Sequence, residues 1–235
     1  MKMILNQVIW TIILIFFSIQ YSISKNLKIA LIGVHDERYE HIGKYAHINK
    51  RAYAEKHGYD YFLYNYRLDT GRAAYWDKVV ALQRHLSDYD WLFWLDSDAL
   101  IMNDSIKLES IIDEDYDFIT TRDCLRSMNS GQFLIKNTQW SRNFLKLWYS
   151  PKYEHTQVAP GFDNGALIQI YQEHPKVKEH IKIVPQRLLS SYLQCPGWFN
   201  IDGEYQPGDF VIHFAAVNHD LKEKYMKEYF EKSME

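Results

Sequence analysis

The chain has 235 residues, 47% of them hydrophobic and 24% charged, with a formal net charge of -3. This is the balance of a globular protein, and without a basic footprint no nucleic acid is expected as a partner. The 18 Tyr, 12 Phe and 7 Trp make it rich in aromatic rings, which fill cores and also stack on sugars and bases.

The N-terminal stretch stands apart. From Met3 to Ser24 the chain is apolar, interrupted only by Asn6, Gln7, Gln20 and small hydroxyls. A run of about 20 such residues can span a bilayer, and its unbroken centre from Val8 to Ile19 has the length of a signal-peptide apolar region. Ser22 and Ser24 form a small-x-small pattern before Lys25. Residues 1–24 are therefore expected to be a signal peptide or a type II signal anchor, and either sends the chain into the secretory pathway. Residues 25–235 contain no repeat or low-complexity linker and have the size of a single domain.

After Lys25, short apolar runs alternate with helical ones. KIALIGV from Lys28 reads as a strand, and Tyr45, Ile48, Ala52 and Tyr53 mark a helix face that ends near Gly58. YDYFLYN from Tyr59 is a second strand. A helix over Trp76 to Leu86 would turn Val79, Val80 and Leu82 inward. WLFWL, from Trp91, has no alternation and so predicts a strand buried on both faces, central in a mostly parallel sheet. DFIT from Asp117 and GQFLIKN from Gly131 are strands, and Trp140 to Trp148 is a helix. FDNGALIQIYQEH is a helix with Asp163 as candidate N-cap. IKIVP at Ile181 and DFVIHFA at Asp209 are the last strands, and a charged helix starts near Asp220. Such alternation predicts a Rossmann-like α/β sandwich whose ligands sit beyond the carboxyl ends of the strands. Cys124 and Cys195, the only cysteines, are expected as buried free thiols, although an oxidising lumen would let them pair. Asn103-Asp104-Ser105 is an N-glycosylation triplet.

The buried strand runs into Asp96-Ser97-Asp98. In a strand, side chains two apart project to the same face, which would aim both carboxylates one way. Two such charges in a partly desolvated cleft call for a cation. Oxygen ligands suit Mg²⁺ or Mn²⁺ with positions left open for a diphosphate. An Asp that merely caps the next turn is the plainer alternative. The aspartyl-phosphate hydrolase pattern fails because Leu100 stands where Thr or Val belongs and because two strands and two helices come first. A glycosidase needs its carboxyls on opposite sides of the sugar, which neighbours on one strand face are not.

With these motifs placed, the chain resembles glycosyltransferase family 34, the galactosyl-, mannosyl- and xylosyltransferases. The resemblance rests on WDKVVALQRHLSDYDWLFWLDSDALIMN, MNSGQFLIKNTQWSRNFLKLW, FDNGALI and LLSSYLQCPGWFNIDGEYQPGDFVIHFA, with NKRAYAEKHGYDYF before them. It implies a GT-A fold, a UDP- or GDP-sugar donor, a glycan or glycoconjugate acceptor, Mn²⁺ (or Mg²⁺) dependence and retention of anomeric configuration. It also implies a Golgi type II membrane protein with a luminal catalytic domain. Asp96, Ser97 and Asp98 match the family's D-x-D, which holds the metal and donor, and His213 matches a further metal ligand. Asn129, Ser130 and Gly131 match a segment that approaches the donor sugar, where Asn can donate to hydroxyls and Gly permits close approach; a simple turn would also use them. Asp163 and Asn164 match the acid and amide near the reacting carbon. Lys78 either faces the phosphates or lies on a solvated helix face.

Departures accompany the match. Ala216 stands where the family has Gly, Asn218 where it has a phosphate-binding Lys, and Phe162 and Asn164 where Asp and Gln are common. Lys222 or Lys224 is in reach to replace the missing charge. The departures also admit a second expectation, a catalytically weak relative that binds nucleotide sugar or glycan and supports a partner transferase in a complex.

Overall fold

The computed structural model describes residues 27–195, 201–215 and 217–234. The apolar leader and Ala216 lie outside them. In chain order the strands and the longer α-helices are β1 (Ile29–Val34), α1 (Glu40–His57), β2 (Asp60–Tyr64), α2 (Asp77–His85), β3 (Trp91–Leu95), β4 (Ala99–Ile101) and β5 (Phe118–Thr121). Then come β6 (Gln132–Lys136), α3 (Gln139–Trp148), α4 (Phe162–Glu173), β7 (Ile181–Val184), β8 (Ser191–Tyr192), β9 (Val211–His213) and α5 (His219–Ser233). Among the described residues no helix is long and apolar enough to cross a membrane.

β3 is the organising strand, buried at every position as its unbroken apolar run predicts. It lies inside a six-stranded sheet of order β2-β1-β3-β6-β5-β7. Pairs β1–β2, β1–β3 and β5–β7 are parallel, whereas β6 runs antiparallel to both of its neighbours. Alternate side chains of β3 feed two cores. Leu92 and Trp94 pack with Ile135, Trp148 and Leu167 on one face, and Trp91, Phe93 and Leu95 with Leu31, Tyr53 and Phe210 on the other. Each fully buried Leu or Phe stabilises the fold by about 1.5–3 kcal/mol, so the centre of β3 cannot shift register without losing both cores.

α1 shows where the apolar pattern misleads. Its buried face is Ile42, Gly43, Ala46, Asn49, Lys50, Tyr53 and Ala54; of the expected face Tyr53 is buried and Tyr45 partly so, packed against a core cluster, whereas Ala52 is exposed and Ile48 is 48% exposed. Two of the inward positions are polar because their side chains bond backbone that the sheets leave open. Asn49 Nδ2 donates to Ile101 O at 2.8 Å while its Oδ1 accepts from Ile101 N at 2.7 Å. In α2, Val79 and Leu82 are buried as expected and Val80 is partly so.

A second, three-stranded sheet of order β4-β9-β8 was not foreseen. β9, the last of the expected strands, pairs antiparallel with β4 in this second sheet, placing His213 opposite Ala99. Cys124 and Cys195 are not free thiols: they form a disulfide with Cα atoms 5.6 Å apart. Cys124 follows β5 and Cys195 follows β8, strands of different sheets, so only the tertiary fold brings them together.

Candidate active site

The site forms where the chain passes from one sheet to the other. β3 ends at Leu95, and Asp96, Ser97 and Asp98 make a tight turn into β4, closed by Ala99 N donating to Asp96 O at 3.2 Å. The two carboxylates converge through this turn and not through strand alternation, as the spacing alone would have it. Asp96 N donates to Gly131 O at 2.8 Å, and Trp94 Nε1 donates to Asp96 Oδ1 at 2.8 Å. From beneath, the Lys50 ammonium caps the end of β3, donating to Leu95 O at 3.1 Å and Asp96 O at 2.6 Å. Burial pushes its pKa down to about 8 against the pull of Asp96 and Asp98.

β9 delivers His213 between the acids. Its Nε2 lies 3.3 Å from Asp98 Oδ1 and 3.8 Å from Asp96 Oδ2, and Nδ1 is 3.3 Å from Ser190 Oγ, which orients the ring. One ligand atom from each of Asp96, Asp98 and His213 falls within 4.8 Å of the others, a spread that a single cation bridges. Two carboxylates and one imidazole are a donor set that Mn²⁺ accepts, so the residues present fit the ion. The backbone beside them is kept bare: a Cβ on Gly131 would lie 2.5 Å from His213 Cε1 and 3.0 Å from Asp96 Oδ2. Any side chain there would fill the space.

The second oxygen of Asp98 belongs to α5. Lys222 Nζ donates to Asp98 Oδ2 at 2.6 Å and to Tyr39 Oη at 3.2 Å. Burial alone would raise the Asp98 carboxyl, but His213 and Lys222 on either side hold it well below the usual carboxylate range. Of the two lysines offered by the sequence, Lys222 is thus the one at the site, and Lys224 is exposed. Asn218 accepts from Asp220 N at 3.0 Å and N-caps α5.

On the other side of Asp96, Lys78 is buried at 4% exposure, which removes the solvated-face alternative. Its Nζ lies 2.7 Å from Asp163 Oδ2 and 3.2 Å from Asp96 Oδ1 and donates to Ser130 O at 2.8 Å. Burial works against this ammonium, but Asp163 and Asp96 more than reverse the effect and raise its pKa. Asp163 does not cap α4 as expected. The cap position is Gly161, at φ 84°, and Asp163 lies in the first helical turn, free to point inward. Ser130 Oγ donates to Asp163 Oδ2 at 2.8 Å, and Ser130 N donates to Asn164 Oδ1, also at 2.8 Å. Burial raises the Asp163 carboxyl; Lys78 offsets this only in part, and Asp96 adds to it. Asn129, expected to donate to sugar hydroxyls, instead spends its amide on Ser190 Oγ at 3.0 Å and Tyr192 Oη at 3.3 Å. It braces the segment because it is 3% exposed and its neighbours saturate it.

Two cavities meet over these residues. The larger, about 680 Å³, reaches from the end of β1 past Asp36 and Tyr75 to Ser97 and Asp98. The smaller, about 390 Å³, lies between Leu125, Asn164, Tyr192 and His213. Lys78, Asp96, Phe162 and Asp163 line both. Of the residues that build the site, sequence reasoning missed Lys50, Tyr39 and Ser190. An inward-facing Lys one turn before Tyr53 was the only available signal for the first, and nothing local marks the other two.

A mixed α/β sheet ending in an Asp-x-Asp turn, with clefts beyond its strand ends, is the GT-A glycosyltransferase fold. A glycosyltransferase involved in glycosylation of the major capsid of PBCV-1 has the same fold at a TM-score of 0.69 and 15% identity, over 86% of this chain and 99% of that one. The family follows from sequence: residues 29–116 and 111–223 match the galactosyl transferase GMA12/MNN10 family, and the chain belongs to it. It is 31% identical over 199 residues to an alpha-1,2-galactosyltransferase of Schizosaccharomyces pombe, covering 67% of this chain and 51% of that protein. It is 27% identical over 184 residues to a probable alpha-1,6-mannosyltransferase MNN10 of Saccharomyces cerevisiae, covering 61% and 46%. The chain thus spans about half the length of these curated relatives.

Proposed function

We propose that the protein is a metal-dependent, retaining glycosyltransferase that moves a hexosyl or pentosyl unit from a UDP- or GDP-sugar to a glycan or glycoconjugate. The observation that carries this reading is the convergence of Asp96, Asp98 and His213 beside the Lys78–Asp163 pair, where two cavities join. The larger cavity suits the nucleotide and the smaller the acceptor, so the reacting carbon would lie over the residues common to both. Asp96, Asp98 and His213 would hold Mn²⁺ or Mg²⁺, which as a Lewis acid supplies charge stabilisation to the departing diphosphate.

The chain's own side chains do the rest. Lys78 and Lys222 are fixed ammonium groups on either flank of the acids, placed to offset negative charge gathering on the leaving group. Asp163, held by Lys78 and Ser130, presents a carboxylate to the positive charge that develops on the sugar. Asn164 fixes the Ser130 backbone and so the floor under it. Gly131 leaves room for the sugar. Lys222 at Asp98 supplies a charge that Asn218 does not, which favours an active enzyme over a weak accessory relative. Residues 25–235 would form the catalytic domain in the Golgi lumen, with residues 1–24 as signal peptide or membrane anchor.

Purified full-length protein incubated with Mn²⁺ and a panel of UDP- and GDP-sugars tests the reading. Donor hydrolysis or transfer with at least one sugar is expected, with loss in Asp96→Asn and Asp98→Asn and after chelation. Nucleotide binding without turnover of any donor would point to the accessory role instead. Unchanged turnover in both Asp variants would refute the metal assignment.

A further inference from the structure

Four residues line both cavities, and three of them, Lys78, Asp96 and Asp163, are charged groups knitted to one another. The fourth is Phe162, an exposed aromatic ring in a position that costs free energy twice. Its backbone φ is 58°, in the left-handed region that a residue with a bulky side chain seldom enters. Its side chain is 57% exposed although the hydrophobic effect favours burying it. Left-handed backbone in a non-glycine residue is retained where the surroundings impose it, most often at ligand sites. Gly161 before it is also at positive φ, 84°, so two successive residues bend the chain to bring the ring over the site as α4 begins. The ring leans on Tyr75, with centroids 4.7 Å apart, and Tyr75 lines the larger cavity.

We infer that Phe162, backed by Tyr75, is the platform for the apolar C–H face of the transferred pyranose. A sugar resting over the junction has hydroxyls on its rim and a hydrocarbon face. The polar floor of Lys78, Asp163 and Asn164 matches the rim, and among the described residues that line both cavities Phe162 is the apolar one to match the face. The inference rests on the nucleotide-sugar reading above and names the residue that separates a sugar nucleotide from its bare nucleotide. On this reading Phe162, at the junction of the two cavities, acts on sugar recognition more than on nucleotide or metal binding.

Titration calorimetry with full-length protein, Mn²⁺ and two ligand pairs, UDP-galactose with UDP and GDP-mannose with GDP, measures how much the sugar adds to nucleotide affinity. In Phe162→Ala the sugar's share of the affinity should fall about tenfold, the effect of losing one aromatic contact, while the bare nucleotide binds as in the wild type. Phe162→Tyr and Phe162→Trp should restore it. Phe162→Gly should lose it too, yet melt at or above the wild-type temperature because glycine relieves the left-handed backbone. Equal losses for sugar nucleotide and nucleotide, no loss for either, or a Phe162→Gly protein that melts several degrees lower would each overturn the inference alone. A wild-type protein that binds none of the four ligands would remove the nucleotide-sugar reading and the inference with it.

Discussion

Replacing Lys78 by Met removes the ammonium that joins Asp163 to Asp96 and keeps the side chain's volume. Lys78 and Asp163 are both buried, with side-chain exposures of 5% and 8%, so the carboxylate left behind has neither water nor its partner. Breaking such a pair from one side costs about 3–5 kcal/mol. At roughly 2–4 °C per kcal/mol for a chain of this size, the melting temperature should fall by about 10 °C. The deficit must depend on pH. Burial already raises the Asp163 carboxyl above its unfolded value, and without Lys78 it rises further. A group raised on folding gives stability that is complete below its unfolded pKa and lost as pH climbs through the folded one. Guanidinium denaturation should therefore show a small deficit near pH 4 and the full one by pH 8. Lys78→Met/Asp163→Asn should recover most of the loss, since both charges leave together. A deficit that does not change with pH, or a double variant whose loss equals the sum of the singles, would refute the coupling.

Three further outcomes follow from the structure. Cys124 and Cys195 are 71 residues apart, so chain-entropy reasoning gives their disulfide about 4 kcal/mol of stability; Cys124→Ala/Cys195→Ala should unfold at correspondingly lower denaturant, and an unmoved midpoint contradicts this. Asn49→Leu strands both backbone groups of Ile101, buried beside the turn, and should cost about 2–4 kcal/mol in thermal melts, whereas Ile48→Ala on the exposed side of the same helix should cost little. Lys50, lowered to about 8 by burial, sheds its proton earlier in the folded protein than in the unfolded chain, so wild type should gain on Lys50→Met by about 3 kcal/mol between pH 7 and pH 10.5. A gap that stays constant or moves the other way in denaturation series over that range counts against the buried charge.

How much was legible in the chain depends on what each residue answers to. β3 and its neighbours were readable because their positions answer to burial alone, and continuous apolar strands have one place to go. The carboxylates were legible as a pair ending a buried strand and His213 through the family motif, whereas Lys78 stood between two readings that only its burial in the folded chain separates. The α1 face was partly misplaced because Asn49 and Lys50 point inward to serve backbone atoms some 50 positions away, and no local period records that debt. The disulfide, the second sheet and the bond from Lys222 to Asp98 likewise depend on distant segments meeting. Asp163 looked like a helix cap because its sequence neighbourhood is that of one. The glycine two positions earlier takes the cap and frees the acid for the cleft.

The Asp96-Ser97-Asp98 turn also leads directly from the six-stranded layer into the three-stranded one, and His213 answers it from the far layer. An ion shared by these three side chains would therefore act as a rivet between two halves of the molecule. Occupancy should be readable far from any sugar, as slowed amide exchange along Val211–His213, and a chelated preparation should be easier to clip between the layers.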